Sequence, residues 1–216
     1  MRKYIVLLAV LGIVAAWQAT ATAAFFIDFE TGYGRDGQPI DDIAGVTFEV
    51  TGGYDWIYGD SSTGNWNTRS IDLGYGYGGY QHYGNVFAFL GTDNNAGSGK
   101  IDFTNNDGTW FKTGYTSYSD FYLEGYDSGG NLIASASGGG SYGGQDMGWL
   151  TIYAPEGMTF DYVIVHDTGN YFLVDNMSGD STGVNPGGPV VPEPATMLLL
   201  GGGLLGLSGL RRRFRR

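Results

Sequence analysis

The chain has 216 residues, no cysteine, 39 glycines, 16 tyrosines, 12 phenylalanines and 5 tryptophans, which excludes a disulfide scaffold, a thiolate metal site and a cysteine nucleophile. Its formal charge of −11 is segregated: residues 1–3 and 211–216 hold seven of the 11 Lys and Arg, and the stretch holding all 22 acids, Asp28 to Glu193, carries four bases and a net charge of −18. A surface that acidic repels phosphate backbones and argues against nucleic acid, while cations and neutral polar polymers stay open as partners. Residues 1–23 begin with Arg2-Lys3, run through the apolar stretch Tyr4 to Trp17 and finish in small residues. That is the layout of a signal peptide, a helix with Ala21-Thr22-Ala23 as its cleavage triplet, and it sends the chain through the Sec export machinery. The exported part then folds where thiols serve no purpose and calcium is plentiful.

Residues 24–178 show no sustained 3.6-residue periodicity, and short aromatic and β-branched runs recur between Gly, Asn and Asp clusters. Strands are predicted at 25–30, 45–51, 68–73, 85–90, 100–104, 109–112, 119–127, 131–137, 148–153, 158–167 and 171–176. Alternation sets Phe121, Leu123 and Gly125 on one face and Tyr122, Glu124 and Tyr126 on the other. Asp127-Ser128-Gly129-Gly130-Asn131 favours a hairpin, and Ala154-Pro155-Glu156-Gly157 a second turn. The pattern predicts an all-β domain, an antiparallel β-sandwich of jelly-roll type. Glycine-dense segments 73–84 and 138–148 read as surface loops, and residues 179–191, with Asn185-Pro186-Gly187-Gly188-Pro189, as a flexible linker.

Catalytic motifs carry little weight in a chain this rich in glycine. G-x-S-x-G occurs around Ser141 and Ser181 without the strand-to-helix elbow a nucleophile needs, and Gly74-x-Gly76-x-x-Gly79 lacks a following helix to face a phosphate. His166 beside Asp167 allows a Ser-His-Asp relay in principle, but a local hydrogen bond accounts for it as well. Asp41-Asp42, Asp93-Asn94-Asn95 and Asn105-Asn106-Asp107-Gly108 read as turns, and none has the frame of an EF-hand loop. No catalytic set emerges, and the expectation is a protein that is not an enzyme.

Residues 192–216 hold three features in fixed order: Pro192-Glu193-Pro194, the apolar stretch Ala195 to Leu210, and the cluster Arg211, Arg212, Arg213, Phe214, Arg215 and Arg216. The prolines keep the approach extended, and the arginines stop transfer on the cytoplasmic side. As a transmembrane helix the apolar stretch spans about 24 Å against a hydrocarbon core of roughly 30 Å, a weak permanent anchor. This arrangement resembles the PEP-CTERM sorting signal of Gram-negative bacteria. The resemblance implies an inner-membrane-anchored precursor, recognition of Pro192, Glu193 and Pro194 by an exosortase, and delivery to the cell surface or extracellular matrix, where such proteins accompany exopolysaccharide and biofilm.

The opening Ile27-Asp28-Phe29-Glu30 and the closing Val174-Asp175-Asn176 give a second, shorter resemblance, to calcium-binding jelly-roll carbohydrate-binding modules. It implies one structural calcium ion held by Glu30 and Asp175, with Asp28 and backbone carbonyls as additions; exposed acids on edge strands explain the same residues without a metal. Tyr75, Tyr77, Tyr80 and Tyr83 are expected to stand exposed and to stack on sugars, whereas Trp56, Trp110 and Trp149 lie in strand-like runs that favour the core. The leading expectation is a matrix component associated with exopolysaccharide. A secreted glycan hydrolase or lyase, and a purely structural surface protein, stay open beside it.

Overall fold

Phe121 and Leu123 are buried while Tyr122, Glu124 and Tyr126 lie half-exposed, so a strand of period two separates an apolar face from a polar one as the sequence predicts. The computed structural model describes residues 23–40, 43, 46–51, 55–90, 98–103, 107–169 and 171–181. The signal peptide through Thr22, Asp41-Asp42, Asp93-Asn94-Asn95, Asn105-Asn106, the linker beyond Ser181, and the sorting segment with its helix and Arg tail lie outside the described residues.

In chain order the strands are β1 (Ala23–Ile27), β2 (Val46–Thr51), β3 (Trp56–Asp60), β4 (Thr68–Ser70), β5 (Tyr80–His82), β6 (Val86–Leu90), β7 (Ser98–Phe103), β8 (Trp110–Ser117), β9 (Phe121–Tyr126), β10 (Leu132–Gly138), β11 (Gly148–Tyr153), β12 (Tyr162–Asp167) and β13 (Phe172–Ser181). One sheet runs β11-β8-β13-β6-β3, with β1 added to β13, and the other runs β10-β9-β12-β7-β2; their pairings are antiparallel. From β6 onward, β6, β8, β11 and β13 go to the first sheet, and β7, β9, β10 and β12 to the second. This is the order of a jelly roll.

The inner faces interlock through rings. Phe172 meets Trp56 edge-on at 6.1 Å and Phe121 at 5.1 Å, and Tyr115 stacks on Phe121 at 4.3 Å. Gly99 of β7 lies directly under Trp56, where any Cβ would overlap the indole, so the glycine is what lets that ring enter the core.

Three departures from the predicted strands shape the functional region. The opening strand stops at Ile27 because Phe29 takes a left-handed conformation (φ 60°) and Glu30–Gly32 forms a 3-10 turn. Strand β3 escapes the strand pattern of the sequence; its Gly59 is required because the Phe87 ring occupies the space a side chain would fill. Segment 73–84 is not simply a surface loop: it contributes β5, and Gln81 and His82 are buried. The reason is apolar surface. Phe87, Phe89 and Leu173 project from the outer face of the first sheet, and the excursion between β3 and β6 folds over them with Trp66, Ile71, Tyr80 and Tyr83.

The expected turns form. Asp127 Oδ1 accepts the N–H groups of Gly129 and Asn131, each at 2.9 Å, with Gly130 left-handed, and Met158 N donates to Pro155 O at 2.9 Å. Strand β13 runs to Ser181 through a bulge between Asp175 and Ser178, three residues past the expected domain end. Because β13 pairs with β1, Ala23 opposite Ser181, the first and last strands close on each other and residues 23–181 carry both sheets of the sandwich.

Phe172→Ala removes one of the rings that join the two sheets, and a loss of about 3–5 kcal/mol is expected for a buried Phe. Urea unfolding of residues 23–185 measures it beside Tyr77→Ala, a site 80 % exposed. The tyrosine variant is expected to stay within about 0.5 kcal/mol of wild type, and equal losses would contradict the packing described.

Candidate functional site

Where β1 ends, the chain reverses through Asp28, whose Oδ1 accepts the Glu30 N–H at 3.2 Å, and the left-handed Phe29. This turn brings Glu30 to the start of β6: its Oε1 accepts the N–H groups of Asn85 at 2.7 Å and Val86 at 2.9 Å. Gly84 packs against that carboxylate with φ 60° and leaves no room for a Cβ. The neighbouring amides are held likewise, Gly84 N by Asp72 Oδ1 and Tyr83 N by Asp175 Oδ2, both at 2.8 Å. Four consecutive N–H groups therefore donate to three carboxylates from distant parts of the chain.

Asp175 is the unusual member. It is fully buried at the bulge of β13, and its Oδ1 accepts the N–H of the left-handed Asn176 at 2.7 Å. Burial pushes its carboxyl well above the usual carboxylate range, the two N–H donors oppose that, and the like charges of Glu30 and Asp28 add to the rise. Asp72 goes the other way: burial pushes it up, but the Gly84 N–H and the Ser70 hydroxyl outweigh that and hold it low. The structure thus brings Asp28, Glu30 and Asp175 to one corner. Among the described residues, however, no three acidic or histidine side chains converge tightly enough to enclose a metal ion by themselves.

Tyr83 connects this corner to an exposed ring surface. Its N–H is held by Asp175, its hydroxyl donates to Asp146 Oδ1 at 3.1 Å, and its ring lies 6.2 Å from that of Trp149. Along β11, Leu150 and Ile152 are buried, so Trp149, Thr151 and Tyr153 face outward; Trp149 is 38 % and Tyr153 70 % exposed. Lys112, opposite Thr151 on β8, places its ammonium 4.6 Å from the centre of the Trp149 ring. Four residues of strand separate the two exposed rings, about 13 Å. The Lys112 ammonium covers one face of Trp149, and Thr151 stands between the two rings along the strand. Exposed rings offer faces for C–H-rich rings, and the interleaved polar groups offer hydrogen bonds.

Of the four predicted tyrosines, Tyr83 borders this surface, half-buried beside Trp149, and the other three lie elsewhere. Tyr77 is exposed as expected, but Tyr75 is tied inward by hydrogen bonds to Asn85 and Ser61, and Tyr80 packs against Tyr142 at 4.9 Å. Burial, then the charge of Asp167, pushes Tyr80 up to about 12. Trp56 is in the core as predicted and Trp110 is half-buried, but Trp149 is not a core residue. The alternation Trp149-Leu150-Thr151-Ile152-Tyr153 carried the signal that places Trp149 and Tyr153 outside.

The outer face of the second sheet also bears rings, but they are spent on one another. Tyr126 stacks on Tyr162 at 5.1 Å with Lys100 over the latter, and Tyr122 stacks on His166 at 5.0 Å. His166 and Asp167 point to opposite faces of β12: the imidazole lies 3.8 Å from Glu124, whereas Asp167 is buried and accepts the hydroxyls of Ser117 at 2.8 Å and Ser119 at 3.1 Å. No relay links them. Ser141 donates its hydroxyl to Tyr115 O from an irregular segment, and Ser181 ends β13, so neither G-x-S-x-G serine sits at an elbow.

Residues 190–213 match the PEP-CTERM protein-sorting motif, which marks the chain as exported and processed by an exosortase. No curated protein matches the chain. Among solved structures, the chain is similar to a point mutant of the family 29 carbohydrate-binding module CBM29-2 (13% identity, 64% of this chain and 92% of that one, TM-score 0.36). It is also similar to CBM29_1 from Piromyces equi (11% identity, 62% and 90%, TM-score 0.35). A third similarity is to the enzymatically active domain of tailspike protein 4 of bacteriophage CBA120 (15% identity, 72% and 21%, TM-score 0.40). Among the described residues no helix is long and apolar enough to cross a membrane.

Burial raises the Asp167 carboxyl above its ordinary value of 3.8, against the pull of Ser117, Ser119 and the Gly169 N–H. The folded state then holds this proton more tightly than the unfolded chain. Its contribution is complete below pH 3.8 and is lost as pH rises through the raised folded value. Relative to Asp167→Asn, wild type is expected to be most favoured at acid pH, with the gap narrowing toward neutrality. Urea midpoints across that range check it, and a gap that widens with pH would refute it.

Proposed function

We propose that this chain is an exported, exosortase-processed surface or matrix protein whose β-sandwich associates with exopolysaccharide, without catalysis, through the Trp149–Tyr153 face. One observation carries the reading: Tyr83 is fixed at both ends, by Asp175 and by Asp146, and its ring stands beside the exposed Trp149. Two ring positions about 13 Å apart, Tyr153 open and Trp149 with one face left beside Lys112, suit an extended glycan, which stacks the C–H faces of its sugars while its hydroxyls reach Lys112, Thr151 and Asp146. The sorting motif at 190–213 supports the setting, a membrane-anchored precursor processed for the cell surface or a biofilm matrix.

The acidic corner is proposed to hold a structural calcium ion. A buried carboxylate with two further acids near it is poorly compensated by amide donors alone, and a divalent cation relieves that repulsion. Glu30 and Asp175 are the side chains that would hold it, with Asp28 and backbone carbonyls as additions. The ion would neutralise charge; the protein's own amides and turns do the positioning.

Calcium that binds the native state must raise the unfolding midpoint by linkage. Residues 23–185 are expected to melt higher in calcium than in EDTA, and Glu30→Gln with Asp175→Asn, which keep hydrogen-bond acceptors but lose charge, are expected to abolish that increment whatever their own baseline. A wild-type midpoint indifferent to calcium removes the ion from the proposal.

For the ring face, retention on purified extracellular polysaccharide is expected to fall about tenfold or more in Trp149→Ala, with Tyr122→Ala on the opposite sheet as the control. Equal retention of both variants and wild type would place any binding elsewhere.

A further inference from the structure

The charges of the sandwich leave one flank bare. Between Ser128 and Pro155 the chain carries a single charged residue, Asp146, although the stretch from Asp28 to Glu193 holds 22 acids. This segment supplies β10 and β11, which lie side by side at one flank, each the last strand of its sheet. Strand β10 bonds to β9 alone and β11 to β8 alone, and a single loop joins the two. The uncharged flank is therefore made of two sheet edges.

An edge strand offers unpaired backbone groups to any other strand, and folded proteins guard it with charge, proline or a covering segment. The opposite edges of this sandwich are guarded. Residues 37–40 run along β3: Gly37 N donates to Tyr58 O at 2.8 Å, Tyr58 N to Gln38 O at 2.9 Å and Ile40 N to Trp56 O at 2.8 Å. Strand β2 carries Glu49. Strand β10 has neither charge nor proline, and its one irregularity, between Leu132 and Ala134, lies at its start. From Ala134 to Gly138 it keeps register with β9, with Ser135 and Ser137 exposed and Ala134 and Ala136 packed on the core. Every side chain in that run is small.

We infer that β10 is a self-association edge, on which a second copy of this chain lays its own β10 antiparallel about a two-fold axis at Ala136. Such a pairing is self-complementary. It sets Ser135 opposite Ser137 of the second copy on the outer face and Ala134 opposite Gly138 on the inner face, with no bulky or charged pair within the run. Charge selects the occupant: copies this negative repel each other through their acidic faces, and the bare flank is where they meet at the lowest electrostatic cost. The two second sheets become one continuous sheet, and the Trp149–Tyr153 faces of both copies look the same way. The inference stands on the edge and the charge and is independent of the glycan reading.

Analytical ultracentrifugation of residues 23–185 over micromolar to millimolar concentrations tests it. A monomer–dimer equilibrium is expected, and it is expected to tighten as salt is raised, because screening relieves the repulsion between acidic copies, whereas a dimer held by ion pairs would loosen. Ser135→Glu with Ser137→Glu, both at exposed sites, is expected to keep the wild-type urea midpoint and to weaken the dimer about tenfold, since the register sets the new acids opposite each other. Ser135→Lys with Ser137→Glu sets opposite charges across the same register at unchanged net charge and is expected to dimerise at least as tightly as wild type. A chain that stays monomeric at every concentration and salt overturns the proposal and leaves the edge to a strand from another protein. A dimer that the two glutamates do not weaken overturns the edge, and one that the lysine–glutamate variant weakens overturns the pairing about Ala136.

Discussion

The functional region depends on one constraint, that the backbone from Tyr83 to Val86 finds its hydrogen-bond acceptors in carboxylates rather than in a neighbouring strand. Buried amides must be paired. Here the pairing recruits Glu30 from the first turn, Asp72 from the excursion and Asp175 from the last strand, so three stretches far apart in sequence are fixed to one short loop. The position of Tyr83, and with it the ring surface around Trp149, follows from that arrangement.

The same device recurs and accounts for much of the acidity. Asp36 accepts the Asp60 N–H and the Trp66 indole, Asp127 builds the β9–β10 turn, and Asp180 accepts the N–H groups of Thr109 and Trp110. Among the described bases, Arg35, Lys100 and Lys112 each lie over an aromatic ring, and Lys100 also pairs with Glu49 at 3.2 Å and Asp102 at 2.8 Å. A strongly negative chain therefore spends many of its carboxylates on its own amides. Such bonds are shielded from salt more than surface pairs are.

How far the sequence reveals this differs by scale. Local patterns read through: the alternation of Phe121–Tyr126 and the turns at 127–131 and 154–157 need only nearest neighbours, and the jelly roll follows from them. Strand β3 does not read through, because Gly59 answers to Phe87, a residue 28 positions away, and glycine in isolation signals a loop. The Tyr- and Gly-rich run misleads for the same reason: its small residues permit close approach to Asn67 and Tyr142 instead of marking exposure. Glu30 and Asp175 were recognisable as a pair from their places at the two ends, but the burial of Asp175 is set by the excursion folding over the sheet, and nothing near it in sequence says so. Trp149 was expected in the core, yet its alternation with Leu150 and Ile152, both buried, carried the signal that sets it outside.

The bulged strand β13 also carries the route by which the chain leaves the sandwich toward the sorting motif, with β1 on one side of its end and β8 on the other. Counting inward from Ser181, the pairing with β1 and the bonds of Asp180 to the Thr109 and Trp110 amides come first, and the bulge at Asp175, whose carboxylate accepts the Tyr83 amide, comes next. The strand that closes the core is thereby also the one that leads out of it, and its one break in register falls at the corner that positions the ring face.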